Sequence, residues 1–153
     1  MIVHLIGQPG SGKTTLAREL ETFIESTRGV FGVEPIIIDG DEMRRIFHNQ
    51  DYSEAGRRKN LSTAYGIAKF LNAKGKLPIL AMVSPFLDLR EELKTECDVL
   101  EVFLKTSETR GREGFFVKDY QQPESNFIEI DTSKPLNDCV SLLIDAVITR
   151  LTQ

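Results

Sequence analysis

Short apolar runs alternate along the chain with stretches of three- and four-residue apolar spacing, the pattern of an α/β protein built on a parallel sheet. Residues 1–6 are almost continuously apolar, which predicts a strand covered on both faces. Residues 13–26 place Leu16, Leu20, Phe23 and Ile24 on one helical stripe. Pro35 opens a second apolar run, Ile36-Ile37-Ile38, which ends in Asp39-Gly40-Asp41. A polar, helix-compatible stretch continues to Lys74, with Leu61, Ala64, Tyr65, Ala68 and Leu71 recurring on one face and Gly75 as its stop. Residues 77–83 predict a third strand ended by Ser84-Pro85, residues 86–95 a short charged helix, and residues 99–104 a fourth strand. Across residues 106–126 the periodicity fades and Gly, Arg and Lys accumulate, which predicts a mobile loop. Residues 127–130 predict a short fifth strand. Leu136, Val140, Leu143, Ile144, Val147, Ile148 and Leu151 predict a closing amphipathic helix.

With 153 residues and neither repeat nor linker, the pattern fits one domain over 1–153, with the loop at about 106–126, and excludes a TIM barrel. The 19 basic and 23 acidic residues leave a net charge of −4, which argues against a protein that grips nucleic-acid backbone. A small phosphorylated ligand needs only a local basic cluster, so it stays open. Cys97, Cys139, His4 and His48 show no zinc spacing, and two ordinary thiols predict a reducing, cytoplasmic setting. No apolar run approaches the roughly 20 residues of a membrane span, so no membrane role is expected. No basic region opens the N-terminus and a working motif begins at residue 7, so no signal peptide is expected either.

That motif is Gly7-Gln8-Pro9-Gly10-Ser11-Gly12-Lys13-Thr14, which fits G-x-x-x-x-G-K-[ST] at every fixed position and sits between a predicted strand and a predicted helix. Glycines let the backbone curl so that successive N–H groups face phosphate oxygens, and the helix that follows adds its positive end. Gly7, Gly10, Ser11, Gly12, Lys13, Thr14 and Thr15 are therefore the expected nucleotide-binding residues. Lys13 is expected to reach the β- and γ-phosphates of ATP, and the Thr14 hydroxyl to ligate Mg²⁺. No N-K-x-D guanine signature accompanies the loop.

Asp39 closes the second strand, and in a parallel α/β sheet the carboxyl ends of strands face the ligand crevice. This carboxylate is a candidate to organise Mg²⁺ or to take a proton from an attacking hydroxyl. Asp41 reads equally well as a helix cap. Downstream, Arg44, Arg45, Arg57, Arg58 and Lys59 gather within sixteen residues, interleaved with Tyr52 and Asn60. Such a cluster suits an anionic substrate, with guanidinium forks for phosphate or sulfate and a ring for a base. It also reads as an ordinary solvated helix face.

Together these residues resemble the adenylylsulfate kinase family. The phosphate loop, Asp39-Gly40-Asp41-x-x-Arg44, Tyr52-Ser53-Glu54-Ala55-x-Arg57-x-x-Asn60 and Ser84-Pro85-Phe86 follow in that family's order. Tyr120-x-x-Pro123-Glu124 and Asp131-Thr132 match its Y-x-x-P-E and terminal D-T. The resemblance implies a P-loop kinase fold and transfer of the ATP γ-phosphate to the 3′-hydroxyl of adenylyl sulfate. It makes Lys13, Asp39 and Ser84 the expected catalytic residues, with Thr14 and Asp39 at the metal. Asp39, Arg44, Tyr52, Arg57, Asn60, Val83, Ser84 and Lys118 are the expected substrate contacts, Tyr52 standing where the family usually has Phe. Direct in-line transfer is preferred over a phosphorylated Ser84. A homodimer is also implied. The family's long lid, with its K-G-L-Y and F-T-G-I-D elements, is replaced here by residues 111–119 alone between Arg110 and Tyr120. Phe115, Phe116, Lys118 and the two arginines are left to do its work. Two alternatives stay open: a 3′-kinase for another nucleotide 5′-diphosphate-like derivative, such as a cytidine one, and a nucleotide-binding sensor without turnover.

Overall fold

The computed structural model describes residues 1–153, with five strands in one parallel sheet ordered β2-β3-β1-β4-β5. The strands are β1 (Ile2–Ile6), β2 (Pro35–Asp39), β3 (Leu77–Ala81), β4 (Val99–Lys105) and β5 (Phe127–Asp131). The helices are α1 (Lys13–Ser26), α2 (Arg28–Phe31), α3 (Gly40–Ile46), α4 (Glu54–Ala73), α5 (Leu87–Glu96) and α6 (Leu136–Leu151). Parallel neighbours require crossover connections, and these lay helices on both faces of the sheet. β1, at the centre, is consequently buried at every residue. Val3 and Leu5 pack with Leu16, Leu20 and Ile24 of α1 and Leu143 and Val147 of α6. Ile2 packs on the other face, with Leu61, Ala64 and Ala68 of α4 and Leu93 of α5. His4 shares that second face as a buried polar residue, bonded to Ser84 and Tyr65.

From β1 the chain passes first to β2 on one side and later to β4 on the other. The order reverses at β1, and a crevice opens there beyond the carboxyl ends of the strands. Gly7, Asp39, Val83 and Ser84 all follow or close strands at this edge.

The expected strands and the helices at 13–26, 86–95 and 136–151 are present within a residue or two, although β3 already ends at Ala81. The long helical stretch expected up to Lys74 is instead two helices, α3 and α4, separated by residues 47–53. Local polar chemistry makes the break. Asn49 Oδ1 accepts from the Asp51 N–H, and Ser53 Oγ accepts from the Gly56 N–H, capping α4. Arg44 donates to the carbonyls of Asn49 and Asp51 and holds the connection from α3. Gly56 is needed here, because a Cβ would lie 2.2 Å from the Asp51 carbonyl oxygen. Residues 106–126 are irregular as expected, apart from a 3-10 turn at Glu113–Phe115. They are nevertheless tied to the phosphate loop: Gln8 donates to the Val117 carbonyl at 2.8 Å and accepts from the Val117 N–H at 2.8 Å.

Candidate active site

The loop between β1 and α1 is shaped by Gly7, Gly10 and Gly12, all at positive φ (147°, 80° and 99°). At Gly7 a Cβ would fall 2.4 Å from the Leu104 carbonyl oxygen, so only glycine lets the loop leave β1 beside β4. Gly12 caps α1 from the left-handed region, and the first N–H groups of the helix carry no side-chain cap. They remain available to an anion. Lys13 Nζ lies over the loop, donating to the carbonyls of Gly7 (2.9 Å) and Gln8 (2.8 Å) and to Ser11 Oγ (3.2 Å). Burial lowers its pKa to about 8, with Asp39 opposing the shift and Arg112 adding to it.

Asp39 uses its two carboxylate oxygens differently. Its Oδ1 accepts from the N–H groups of Asp41 (3.0 Å) and Glu42 (3.2 Å), so the cap of α3 is Asp39 rather than Asp41. Its Oδ2 accepts from the Thr14 hydroxyl at 2.9 Å. Two hard oxygen donors thus adjoin the phosphate cradle. No group of three or more His, Cys, Asp or Glu side chains converges anywhere. Few protein oxygens beside a phosphate site suit Mg²⁺, which keeps waters and shares phosphate oxygens. Thr14 and Asp39 fit that ion.

The cradle opens into a cleft of about 1040 Å³ lined by Gly10, Gly12, Lys13, Thr14, Thr15 and Asp39 on the loop side. Gly7 and Ser11 stand behind that wall, buried, and shape it. Arg44, Tyr52, Arg57, Asn60, Val83 and Ser84 line the same cleft, so residues from 10 to 84 meet as the sequence motifs implied. The five-cation cluster divides, however. Arg58 is spent on Glu54 and Asp88 and lies over Phe86, while Arg45 and Lys59 are exposed away from the cleft. Arg44 stacks 4.0 Å from the Tyr52 ring centre, so guanidinium and ring form one surface. Asn60 is buried, its Nδ2 directed at the Gly40 carbonyl at 3.5 Å. Lys13, Arg44, Arg57, Arg110, Arg112 and Lys134 set six cations against Asp39 and Asp41 in the lining, the reverse of the overall acidic balance.

Ser84 is almost fully buried and holds φ 49°, in the left-handed region. Its Oγ lies 2.9 Å from His4 Nε2, and Tyr65 completes that buried pair at 3.4 Å. The hydroxyl is engaged with the core, which favours direct transfer over a phosphorylated serine. Lys118 is exposed and does not line the cleft. The short lid places Arg110, Arg112, Phe115, Phe116 and Val117 there instead. Arg110 donates to the carbonyls of Gly10 (3.0 Å) and Thr132 (2.6 Å), and the Thr132 hydroxyl donates to the Ser11 carbonyl at 2.7 Å. Sequence reasoning assigned no role to Thr132 or Tyr120, although both stood in motifs it singled out. It missed Gln8, Lys134 and Cys139, which carry no local signal.

The adenylylsulphate kinase family model matches residues 1–134. The adenylyl-sulfate kinase of Prochlorococcus marinus is 29% identical over 97% of this chain and 83% of its own length. Among solved structures, an APS kinase of Mycobacterium tuberculosis in complex with AMPPNP and APS superposes with a TM-score of 0.82 at 22% identity, covering 95% of this chain and 96% of that one. A hexameric APS kinase from Thiobacillus denitrificans gives 0.78 at 21% identity, over 97% of this chain and 29% of the other. At such identities the superpositions establish the fold, that of a P-loop kinase; with the family model and this site beside them, the chain belongs to the adenylylsulphate kinase family.

Proposed function

We propose that the chain transfers the γ-phosphoryl group of ATP to the 3′-hydroxyl of adenylyl sulfate. The observation that carries the reading is the single cleft lined both by the phosphate cradle and by Arg44, Tyr52, Arg57 and Asn60. Family membership supports adenylyl sulfate as the acceptor. In the reaction the acceptor oxygen forms a bond to the γ-phosphorus while the bond from that phosphorus to the β–γ bridging oxygen breaks, leaving ADP. The acceptor proton passes to a base, for which Asp39 is the carboxylate at hand. Lys13 and the loop N–H groups stabilise charge on the transferred group. Thr14 and Asp39 would hold Mg²⁺, which would supply neutralisation of phosphate charge. Arg57 and Arg44 receive the acceptor's anionic end and Tyr52 its base, while Phe115, Phe116 and Arg112 of the lid exclude water.

A coupled ADP-release assay tests the reading, run with adenylyl sulfate and with cytidine, uridine and other adenine nucleotide derivatives. Turnover selective for adenylyl sulfate is expected. Selectivity for a pyrimidine acceptor overturns the substrate assignment; the short lid favours that second reading. ATP binding without turnover on any acceptor overturns the kinase, although a pure sensor has no use for the acceptor wall. A homodimer and a cytoplasmic location belong to the same proposal. The hexameric relative supports self-association, and no helix is long and apolar enough to cross a membrane. Sedimentation showing a monomer at assay concentrations counts against the dimer.

A further inference from the structure

Beneath the acceptor wall lies a buried ionic group that the proposed chemistry does not use. Arg90 of α5 and Glu101 of β4 are both fully buried and paired at 2.9 Å, and Lys94 lies 2.6 Å from the second Glu101 oxygen. A buried ion pair adds little net stability, because desolvation offsets its Coulomb attraction, and apolar side chains would fill the same space. Apolar side chains could not, however, make the two bonds that the rest of the Arg90 guanidinium makes. One Nη donates to the Ser84 carbonyl at 2.6 Å and the other to the Gln121 carbonyl at 2.6 Å.

These bonds act on one short segment of the cleft wall. The Val83 carbonyl accepts from the Tyr120 hydroxyl at 2.5 Å and from the Gly7 N–H at 3.4 Å. The Pro85 carbonyl accepts from the Gln121 N–H at 3.0 Å. Both peptide planes flanking Ser84 are therefore fixed, the one before it by Tyr120 and the one after it by Arg90. Together they hold a non-glycine residue at φ 49°. A trans peptide points its N–H opposite to its carbonyl, so the Ser84 N–H is aimed away from Tyr120 and Gly7, and it has no partner within the protein.

We propose that Arg90 is a positioning residue for the acceptor: it holds Ser84 in the left-handed conformation that sets the direction of the Ser84 N–H and the shape of the Val83–Ser84–Pro85 wall. Glu101 holds the guanidinium in place from β4, and Lys94 engages the second Glu101 oxygen. The donor half of the site is spared, because only the 3.4 Å bond from Gly7 links it to this segment.

The inference rests on the proposed acceptor reading, and Arg90→Lys tests it. Lysine keeps the charge that Glu101 needs but cannot span two carbonyls. The KM for adenylyl sulfate is expected to rise about ten-fold while the KM for ATP stays within about two-fold, since small misplacements at a site are costly. Amide hydrogen exchange is expected to quicken at Met82 and Gln121, whose N–H groups are bonded from and to this segment, and to be unchanged in residues 8–15. Tyr120→Phe, which removes only the hydroxyl on the preceding carbonyl, is expected to give the same acceptor-selective split, about three-fold. An unchanged acceptor KM, or equal rises in both constants, overturns the proposal. If Arg90→Lys fails to fold, the Tyr120→Phe constants decide by the same criteria. If the wild type turns over no adenylyl sulfate, the acceptor reading fails by itself. The exchange comparison then decides the positioning role: quickening confined to Met82 and Gln121 supports it, and quickening everywhere or nowhere overturns it.

Discussion

The donor and acceptor sides of the cleft are built from different materials. On the donor side, backbone does most of the work: three glycines at positive φ, an open helix N-terminus and a lysine lying across loop carbonyls. Gln8, Arg110 and Thr132 lock that loop to the lid and to the segment after β5. On the proposed acceptor side, the lining is made by side chains on α3, α4 and their connection, and Tyr52 is 62% exposed. Its most rigid part is the Ser84 wall, held from below. The donor half is thus pre-organised for one ligand chemistry, polyphosphate, whereas the acceptor half can change its ligand by changing side chains. A family can keep the first and vary the second.

If the donor side works through charge at the transferred group, Lys13→Ala should have the largest effect. The expected loss in kcat is about 10³-fold in the ADP-release assay, with an unchanged circular dichroism spectrum. Asp39→Asn separates chemistry from structure at one residue. Asparagine caps a helix as well as aspartate does, so Tm should hold while kcat falls about 10²-fold; wild-type rates would remove Asp39 from catalysis. On the other side, Arg57→Ala should raise the acceptor KM about ten-fold and leave the ATP KM unchanged. Equal changes in both would erase the division between the halves.

The Lys13 pKa of about 8 makes the donor side pH-sensitive as well. Below pH 8 the ammonium is charged and ready for phosphate. Above it, the free protein loses that proton and nucleotide binding must restore it. The nucleotide Kd should therefore weaken by up to about ten-fold per pH unit above 8, a slope that Lys13→Ala removes. Titration calorimetry at pH 7 and 9 measures it. The smallest effect belongs to Lys118→Ala: its side chain stands outside the cleft, so both KM values should stay within about two-fold.

The same contrast explains what could be read from the sequence. The phosphate loop was legible because its chemistry needs consecutive residues between a strand and a helix, and Asp39 because the apolar Ile36–Ile38 run ends there. The parallel sheet followed from the same short apolar runs. The split between α3 and α4 was not legible. It depends on Asn49, Asp51, Ser53 and Gly56 bonding among themselves, while the surrounding pattern stays helical. Arg58 and Arg57 are neighbours with the same charge, yet only their partners in space decide that one is spent on Asp88 and the other lines the cleft. Arg90 read as part of a short charged helix. Its burial is set by Glu101, eleven residues away on β4.

The most direct test follows the label from γ-³²P-ATP into product, with adenylyl sulfate as acceptor and a matched cytidine derivative beside it. The proposed transfer predicts label on the 3′-oxygen of adenylyl sulfate, formed with a far higher kcat/KM than on the cytidine compound. Label found preferentially on the pyrimidine acceptor, or at any position other than the 3′-oxygen, would contradict it.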